Sequence, residues 1–249
     1  MDDEELLRYS RQIMLPEVDI EGQEKLRRAR VLIVGMGGLG SPVAMYLAAA
    51  GVGHLVIVDF DTVDLSNLQR QIIHGMADIG RLKVESARDA LLALNPLVKV
   101  TPVGRALEGE ALLAQVRLAD VVVDASDNLR TRFAINDACV GTKTPLVSGA
   151  AIRMEGKVLV YRPDQPDAPC YRCLYRSEGA INETCSQSGV LAPLLGIIGS
   201  IQAVETLKLL IGIGETLTGR LLLLDAVNLD WHCVIIKKNP CCPVCSQPG

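Results

Sequence analysis

The sequence predicts an α/β protein with a Rossmann-like, doubly wound sheet that is mostly parallel and continues into an antiparallel C-terminal part with a structural zinc knuckle. Hydrophobic residues make up 49% of the chain and aromatic residues only 3%, and aliphatic runs are typical of buried parallel strands. Between residues 30 and 150 such runs alternate with helical patterns. Cysteines recur later in Cys-x-x-Cys pairs, a spacing that favours a metal site.

The first part of the chain contains the alternating elements. Predicted strands cover residues 30–34, 54–59, 98–103, 120–124 and 145–150. Predicted helices cover residues 41–50, 83–94, 110–117 and 130–140. Each strand–helix–strand step is a parallel crossover unit, so these elements predict a parallel sheet covered by helices.

The pattern changes after Ile152. Strands at 157–161, 220–225 and 231–237 follow one another without regularly spaced helices, which predicts an antiparallel extension of the sheet. The apolar stretch 189–210 contains Pro193, Gln202, Glu205 and Lys208, so it predicts a buried helix rather than a span of about 20 apolar residues. We expect one domain over 1–249, with a nucleotide-binding half at 1–150 and a second half at 151–249.

Charge and the N-terminal residues limit the classes of partner and the compartment. The chain has 25 Lys and Arg against 29 Asp and Glu, a formal net charge of −4. This balance argues against nucleic-acid binding, which needs a basic surface. The chain begins Met-Asp-Asp-Glu-Glu, which is acidic where a signal peptide is basic and then apolar. We expect a cytoplasmic protein with neither a nucleic-acid nor a membrane partner.

A glycine-rich loop follows the first predicted strand. Gly35, Gly37 and Gly40 satisfy a Gly-x-Gly-x-x-Gly pattern, and Gly38 is an additional glycine. Without side chains the backbone can approach a phosphate closely and direct N–H groups and a helix N-terminus at it. Asp59 ends the second strand, where an acidic residue holds ribose hydroxyls. A purely structural tight turn is the alternative, and the loop alone does not identify the nucleotide.

Polar residues after the second and fourth strands favour a nucleoside triphosphate. They are Asp61, Ser66, Asn67, Arg70, Lys83, Asp127 and Asn128. Attack on a triphosphate needs Arg, Lys and Mg²⁺ to stabilise the leaving pyrophosphate, whereas hydride transfer from a nicotinamide does not. Asp127 lies at the carboxyl end of the fourth strand, where it is a candidate magnesium ligand. Taken singly, each residue also fits a solvated loop charge or a helix cap.

Four cysteines predict a structural zinc site. Cys170 and Cys173 form one Cys-x-x-Cys pair and Cys242 and Cys245 form another, and four thiolates leave no open coordination position. The role of such a site is to brace the fold rather than to perform chemistry. Disulfides are the alternative. The adjacent Cys241 leaves open which thiol of the doubled pair is the ligand.

The remaining cysteines differ in context. Cys139 in a predicted helix and Cys233 in a predicted strand are expected to be small core residues. Cys185 lies in a polar stretch before a helix expected to begin near Gly189, and a helix N-terminus lowers the pKa of a thiol. It is therefore a candidate for a covalent link to a bulky acyl partner. The alternative is that Cys185 is exposed and has no role in the reaction.

Several segments together resemble the bacterial ubiquitin-activating-like adenylyltransferases of the MoeB/ThiF/HesA family. They are Arg8-Tyr-Ser-Arg-Gln12, Gly35-Met-Gly-Gly-Leu-Gly40, Asp59-Phe-Asp61, Ser66-Asn-Leu-Gln-Arg70 and the two Cys-x-x-Cys pairs. The resemblance covers essentially the whole chain. The segment 148–156 is more similar to the molybdopterin-synthase branch than to the thiazole branch.

The resemblance implies a reaction and its participants. The C-terminal Gly-Gly carboxylate of a small ubiquitin-like sulfur carrier attacks the α-phosphate of ATP, giving an acyl-adenylate and pyrophosphate. A sulfur donor, a desulfurase or a rhodanese, later converts the acyl group to a thiocarboxylate. Mg²⁺ assists the reaction, zinc is structural, and the protein is a homodimer whose second half binds the carrier.

The resemblance also implies roles for individual residues. The glycine loop with Gly38 holds phosphate and Asp59 holds the ribose. Asn67, Arg70 and Lys83 contact the triphosphate, Asp127 binds Mg²⁺, and Arg11 reaches the partner subunit's ATP. Cys185 matches a position where thiazole-type relatives carry a carrier-linking cysteine, which molybdopterin-type relatives do not need for adenylation.

Other interpretations remain at this point. A nicotinamide dehydrogenase with structural zinc leaves Arg70, Lys83 and Asp127 without a role. A non-catalytic nucleotide-binding scaffold is also compatible with the fold. Within the family, the thiazole-pathway carrier is the alternative substrate.

Overall fold

The structure is a computed structural model that describes residues 1–175 and 188–246. Within these residues, eight strands form one sheet. The strands are β1 (Arg30–Val34), β2 (His54–Val58), β3 (Lys99–Val103), β4 (Val121–Asp124), β5 (Leu146–Ile152), β6 (Glu155–Tyr161), β7 (Arg220–Asp225) and β8 (Asp230–Ile235). Their order in the sheet is β3-β2-β1-β4-β5-β6-β7-β8.

The sheet has a parallel and an antiparallel part, as the sequence predicts. β1 lies between β2 and β4, with Val31 opposite Leu55 on one side and Val121 on the other. All pairings from β3 to β5 are parallel, and those from β5 to β8 are antiparallel. The predicted fold class is confirmed.

Helices cover both faces of the parallel part. They are α1 (Asp3–Ile13), α2 (Asp19–Arg28), α3 (Gly40–Ala49), α4 (Lys83–Leu94), α5 (Gly109–Arg117), α6 (Leu129–Thr142), α7 (Tyr171–Leu174) and α8 (Ala192–Ile211). The sequence reasoning did not assign α1 and α2, although α1 begins with a capping box in which Asp2 and Glu5 bond each other's backbone N–H groups. α8 begins at Ala192, three residues after the predicted start near Gly189.

Alternate residues of β1 show how the two layers of core form. Val31 and Ile33 pack in the cluster that contains side chains of α3, α4 and α8. Leu32 and Val34 pack in the opposite cluster with side chains of α5 and α6. Because both faces are covered, the strand is aliphatic throughout instead of alternating with polar residues.

α8 is the helix of greatest length and apolar character. It packs on α3, β5 and β6, with Leu194, Ile198 and Gln202 buried. Among the described helices it alone is long and apolar enough to cross a membrane, and half of that stretch is buried inside the fold. The core helix of a soluble protein has the same length and composition, so α8 gives only weak support for a membrane span.

The two cysteines expected in the core have different environments. Cys139 on α6 is buried, as predicted. Cys233 is exposed, and the prediction for it was wrong. It lies in β8, the last strand of the sheet, all of whose residues are exposed.

Candidate active site

A cavity of about 680 Å³ opens at the carboxyl ends of β1, β2 and β4. After β1 the chain continues to β2 on one side of it, whereas β4 pairs with β1 on its other side. The strand order therefore reverses direction at β1, and open α/β sheets bind ligands at such a point. Nine residues predicted from the sequence lie in the cavity wall. They are Gly35, Gly37, Gly38, Asp59, Asp61, Arg70, Lys83, Asp127 and Asn128.

The glycine loop packs tightly between β1 and α3. Gly35 has a φ of +101°, and a Cβ there would lie 2.6 Å from the carbonyl oxygen of Ala125. A Cβ on Gly40 would overlap the carbonyl oxygen of Gly35. Only glycine fits at both positions. Gly40 is not in the cavity wall, so it serves the close packing of helix on strand.

Asp59 ties the glycine loop to the end of β2. Its carboxylate accepts hydrogen bonds from the backbone N–H groups of Met36, at 2.8 Å, and Asp61, at 2.9 Å. Burial raises the pKa of Asp59, while the charge of Lys83 and the two backbone hydrogen bonds act to lower it. The ribose-binding role of Asp59 stays a prediction.

The two predicted cations of the wall are held in different ways. Lys83, the first residue of α4, is 5% exposed, and its Nζ lies 2.8 Å from a carboxylate oxygen of Asp61. The guanidinium of Arg70 donates to the backbone carbonyl of Ser66 at 2.9 Å. Ser66 and Asn67 form the short 3₁₀ turn before Arg70 and do not line the cavity.

Two aspartates after β4 have different environments. The buried carboxylate of Asp124 accepts hydrogen bonds from the hydroxyls of Ser126, at 2.6 Å, and Ser148, at 2.7 Å. Asp127 is exposed in the cavity wall. Asn128 caps α6 through a hydrogen bond from the backbone N–H of Thr131. Of these two aspartates, Asp127 is therefore the one whose carboxylate is available to a cation, since Asp124 is already bonded within the chain.

The sequence reasoning missed several polar residues of the wall, and five of them are considered for their contacts or chemistry. They are Gln71, Arg132, Lys157, Tyr171 and Tyr175. Arg132 donates to the carbonyl of Ser126 at 2.6 Å, and Lys157 donates to the hydroxyl of Tyr175 at 2.9 Å. The position of Gln71 directly after Arg70 was an available signal. The tyrosines and Lys157 come from the second half of the chain, and no local pattern relates them to the glycine loop.

One predicted catalytic residue does not line the described cavity, and a second cannot be placed relative to it. Arg11 is exposed on α1, and its side chain lies beside Met14. Cys185 lies outside the described residues. Their predicted roles stay predictions.

The four predicted zinc ligands lie together. The Sγ atoms of Cys170, Cys173, Cys242 and Cys245 all lie within 4.8 Å of one another, with 3.6 Å between Cys170 and Cys242 and 3.5 Å between Cys173 and Cys245. A tetrahedral zinc with Zn–S bonds of about 2.3 Å separates its sulfurs by roughly 3.8 Å. The thiols therefore fit a zinc ion closely. Cys241 is exposed and not in the cluster.

The cysteine cluster adjoins the cavity through α7. Tyr171 lies between two of the cysteines and lines the cavity, and its backbone N–H donates to Asn136 Oδ1 at 2.7 Å. The next residue, Arg172, forms an ion pair of 2.8 Å with Asp137. A metal in the cluster would hold α7 to the C-terminal segment, and Asn136 and Asp137 hold α7 to α6.

These features define a doubly wound α/β protein with a glycine-loop cavity at the reversal point of its sheet and a four-cysteine cluster beside it. The chain belongs to the ThiF family, whose model matches residues 9–244. The family expected from the sequence motifs is thereby confirmed.

Several known proteins are similar to this chain. The molybdopterin-synthase adenylyltransferase of Escherichia coli (strain K12) is 49% identical over 247 residues, which are 99% of each chain. The sulfur carrier protein ThiS adenylyltransferase of the same organism is 44% identical, over 98% of this chain and 97% of its own. A crystal structure of E. coli MccB with MccA-N7isoASN superimposes with a TM-score of 0.85 at 24% identity, covering 97% of this chain and 75% of that chain. At that identity the last likeness concerns the fold alone.

Proposed function

We propose that this protein uses ATP and Mg²⁺ to adenylate the C-terminal Gly-Gly carboxylate of a small ubiquitin-like sulfur carrier, the small subunit of molybdopterin synthase. The observation that carries the proposal is that the glycine loop shares one cavity wall with Arg70, Lys83 and Asp127. The names of two full-length relatives, both adenylyltransferases, support the same reaction class.

The reaction needs positioning and charge stabilisation more than proton transfer. A carboxylate oxygen of the carrier attacks the α-phosphorus, and the bond from that phosphorus to the pyrophosphate oxygen breaks. The products are an acyl-adenylate and pyrophosphate. A carboxylate is already ionised near neutral pH, so the nucleophile needs no general base.

The wall residues supply this positioning and charge. N–H groups of the glycine loop bind phosphate oxygens and Asp59 holds the ribose. Arg70 and Lys83 of the wall bind the triphosphate together with Asn67 from the turn outside the wall, and their donors oppose the charge that develops on the leaving pyrophosphate. Asp127 would hold Mg²⁺, which neutralises phosphate charge when bound.

Asp61 positions the ammonium of Lys83 in the cavity wall before a phosphate binds. Its carboxylate holds the ammonium at 2.8 Å within the cavity wall. A phosphate oxygen can replace or share this contact, so the nearly buried cation has an anionic partner both before and after ATP binds.

Zinc and the second subunit complete the proposed assembly. The four clustered cysteines would bind one structural Zn²⁺. Arg11, exposed on α1 and outside the cavity of its own chain, would contribute to the ATP site of the partner in a homodimer. We further propose a cytoplasmic protein that acts as one domain and passes its product to a sulfur donor, a desulfurase or a rhodanese.

The thiazole-pathway carrier is the second candidate substrate. It is favoured by the relative named sulfur carrier protein ThiS adenylyltransferase, at 44% identity. A non-catalytic scaffold is disfavoured because the cations and Asp127 are all in place in the cavity wall.

Carrier-dependent ATP–pyrophosphate exchange tests the proposal. Molybdopterin-type and thiazole-type carriers are compared, each with a matched form that lacks the terminal Gly-Gly. We expect exchange that requires the intact tail and is faster with the molybdopterin-type carrier. Faster exchange with the other carrier would reassign the substrate, and no exchange by protein that binds ATP and zinc would favour the scaffold.

A further inference from the structure

Lys157 is a half-buried cation of the cavity wall that has no anionic partner among the described residues. Its Nζ donates to the hydroxyl of Tyr175 at 2.9 Å, and no described carboxylate lies within ion-pair distance of it. By contrast, Lys83 of the same wall is paired with Asp61 at 2.8 Å. Withdrawing a cation from water without a counter-charge costs stability. The position of Lys157 therefore points to an anion that enters the cavity.

Lys157 and Tyr175 together present two donors. An ammonium has three N–H donors, and Lys157 uses one of them on Tyr175. The hydroxyl of Tyr175 accepts that bond and keeps its own proton to donate. Tyr175 also lines the cavity, and its ring packs on that of Tyr171 with 4.7 Å between the ring centroids. A carboxylate, whose oxygens only accept hydrogen bonds, suits such a pair.

This pair of side chains lies away from the residues assigned to the nucleotide. In β6, Lys157 is opposite Ala150 of β5 and Leu223 of β7, and both of these residues line the cavity. The order β1-β4-β5-β6 separates β6 from β1 by three strand spacings, or about 14 Å. The glycine loop follows β1, and Asp59 follows β2 on the far side of it. A nucleotide bound there leaves the β6 end of the cavity for a second substrate.

Charge and side-chain size at the β6 end favour a carboxylate over a polyphosphate. One ammonium balances one carboxylate. Glu155, two residues before Lys157, is exposed and also lines the cavity, so its carboxylate repels a triphosphate. Ala150, directly opposite Lys157, has only a methyl side chain on the same face of the sheet. These features suit a narrow peptide tail that ends in a carboxylate.

We propose that Lys157 and Tyr175 bind the C-terminal carboxylate of the carrier protein. One carboxylate oxygen accepts from this pair, and the other faces the α-phosphate of the nucleotide. The facing oxygen forms the bond to the α-phosphorus while the bond from that phosphorus to the pyrophosphate oxygen breaks. The held oxygen becomes the carbonyl oxygen of the acyl-adenylate and still accepts from Lys157. This inference rests on the proposed function, in that the second substrate is a carrier with a free C-terminal carboxylate.

The test crosses two forms of the carrier with variants of the protein. A molybdopterin-type carrier ends either in its natural carboxylate or in a carboxamide. Each form is titrated calorimetrically into the wild type, Lys157→Met, Lys157→Arg and Tyr175→Phe, with Mg²⁺ and α,β-methylene-ATP, which does not release pyrophosphate. The quantity compared is the preference, the ratio of the Kd of the carboxamide form to that of the carboxylate form. A purely structural role of Lys157 would change both values of Kd and leave this ratio unchanged.

We expect the preference to fall roughly ten- to a hundredfold in Lys157→Met, because one hydrogen bond between charged groups is lost. Tyr175→Phe loses a neutral donor, and its preference is expected to fall about two- to tenfold. Lys157→Arg keeps the charge and should retain most of the preference. The affinity of Lys157→Met for α,β-methylene-ATP is expected to stay within about twofold of the wild type, because the phosphates lie at the other end of the cavity.

Two results would overturn the proposal. One is a preference in Lys157→Met within twofold of that of the wild type. The other is a loss of α,β-methylene-ATP affinity of tenfold or more in Lys157→Met, because the cation then serves the phosphates.

A control and a folding check keep these results interpretable. Lys25→Met removes an exposed lysine of α2 that lies outside the cavity wall, and it is expected to leave the binding of both carrier forms and of the nucleotide unchanged. Zinc content and thermal unfolding report whether each variant is folded. If Lys157→Met does not fold, Tyr175→Phe decides the question, and an unchanged preference in that variant refutes the proposed pair.

The outcome is separable from that of the proposed function. Carrier-dependent exchange by the wild type, with an unchanged preference in Lys157→Met, refutes the role of Lys157 alone. A wild type that shows no exchange and binds the carboxylate and carboxamide forms equally refutes the proposed function, and the role of Lys157 with it.

Discussion

The doubled cysteine at positions 241 and 242 permits a matched pair of substitutions. The Sγ of Cys242 is buried and lies 3.6 Å from the Sγ of Cys170, within the four-thiol cluster. Cys241 is exposed, and only its backbone N–H is fixed, by Asn239 Oδ1 at 3.0 Å. We expect Cys242→Ser to lose bound zinc and Cys241→Ser to keep one ion per chain, because a serine hydroxyl replaces a thiolate ligand poorly.

The size of the expected effect follows from the cluster and the chain length. Loss of a structural metal belongs to the small class of changes that cost about 4 kcal/mol or more. For 249 residues the entropy of unfolding is about 0.5 kcal/mol/K near 60 °C, so the unfolding midpoint should fall by about 8 °C. An exposed substitution such as Cys241→Ser is expected to change the midpoint by about 1 °C at most.

Plasma mass spectrometry measures the zinc content of each variant. Thermal unfolding with and without a chelator measures the unfolding midpoint. A chelator should lower the midpoint of the wild type and of Cys241→Ser towards that of Cys242→Ser, and leave Cys242→Ser unchanged. The reasoning is refuted if Cys241→Ser loses zinc while Cys242→Ser retains it, or if the two variants melt together.

Three further predictions concern the cavity and the reaction. Asp127→Ala is expected to lower carrier-dependent ATP–pyrophosphate exchange at least about a hundredfold through loss of the magnesium ligand; near wild-type exchange at saturating Mg²⁺ would exclude that role. Cys185→Ala is expected to leave exchange intact, since adenylation breaks no bond to sulfur, and a complete loss would contradict this. Gly40→Ala is expected to lower the free energy of unfolding by about 3 kcal/mol because its Cβ overlaps the carbonyl of Gly35. Gly37→Ala, whose Cβ would meet nothing nearer than 3.6 Å, should stay within about 0.5 kcal/mol in the same chemical denaturation experiment.

Prediction from sequence was accurate where the signal is local and repeated. The helix at 83–94 and the strand at 30–34 were placed to the residue, because hydrophobic periodicity and flanking Gly, Asn and Pro report local backbone conformation. It failed at Cys233, which has the apolar pattern of a strand but lies in an edge strand with exposed faces. Burial of a strand residue depends on what packs against the sheet, and neighbours in sequence do not report that.

The candidate site shows the same difference between what short segments of sequence indicate and what tertiary packing decides. Residue type and position along the chain selected the glycine loop, Arg70, Lys83, Asp127 and the two Cys-x-x-Cys pairs as candidates, because these signals lie in short segments next to predicted strands and helices. The tertiary structure brought Tyr171 and Lys157 into the wall beside them.

The tertiary structure also separated residues that look equivalent in the sequence. It distinguished the buried, bonded Asp124 from the exposed Asp127, and it included Cys242 in the cluster while leaving Cys241 outside. It also left Gln71 Oε1 buried without a hydrogen-bond partner among the described residues. The physical reason is that chemical identity and backbone preference belong to short segments. Burial, hydrogen-bond satisfaction and the sharing of a cavity arise only when segments distant in the chain pack together.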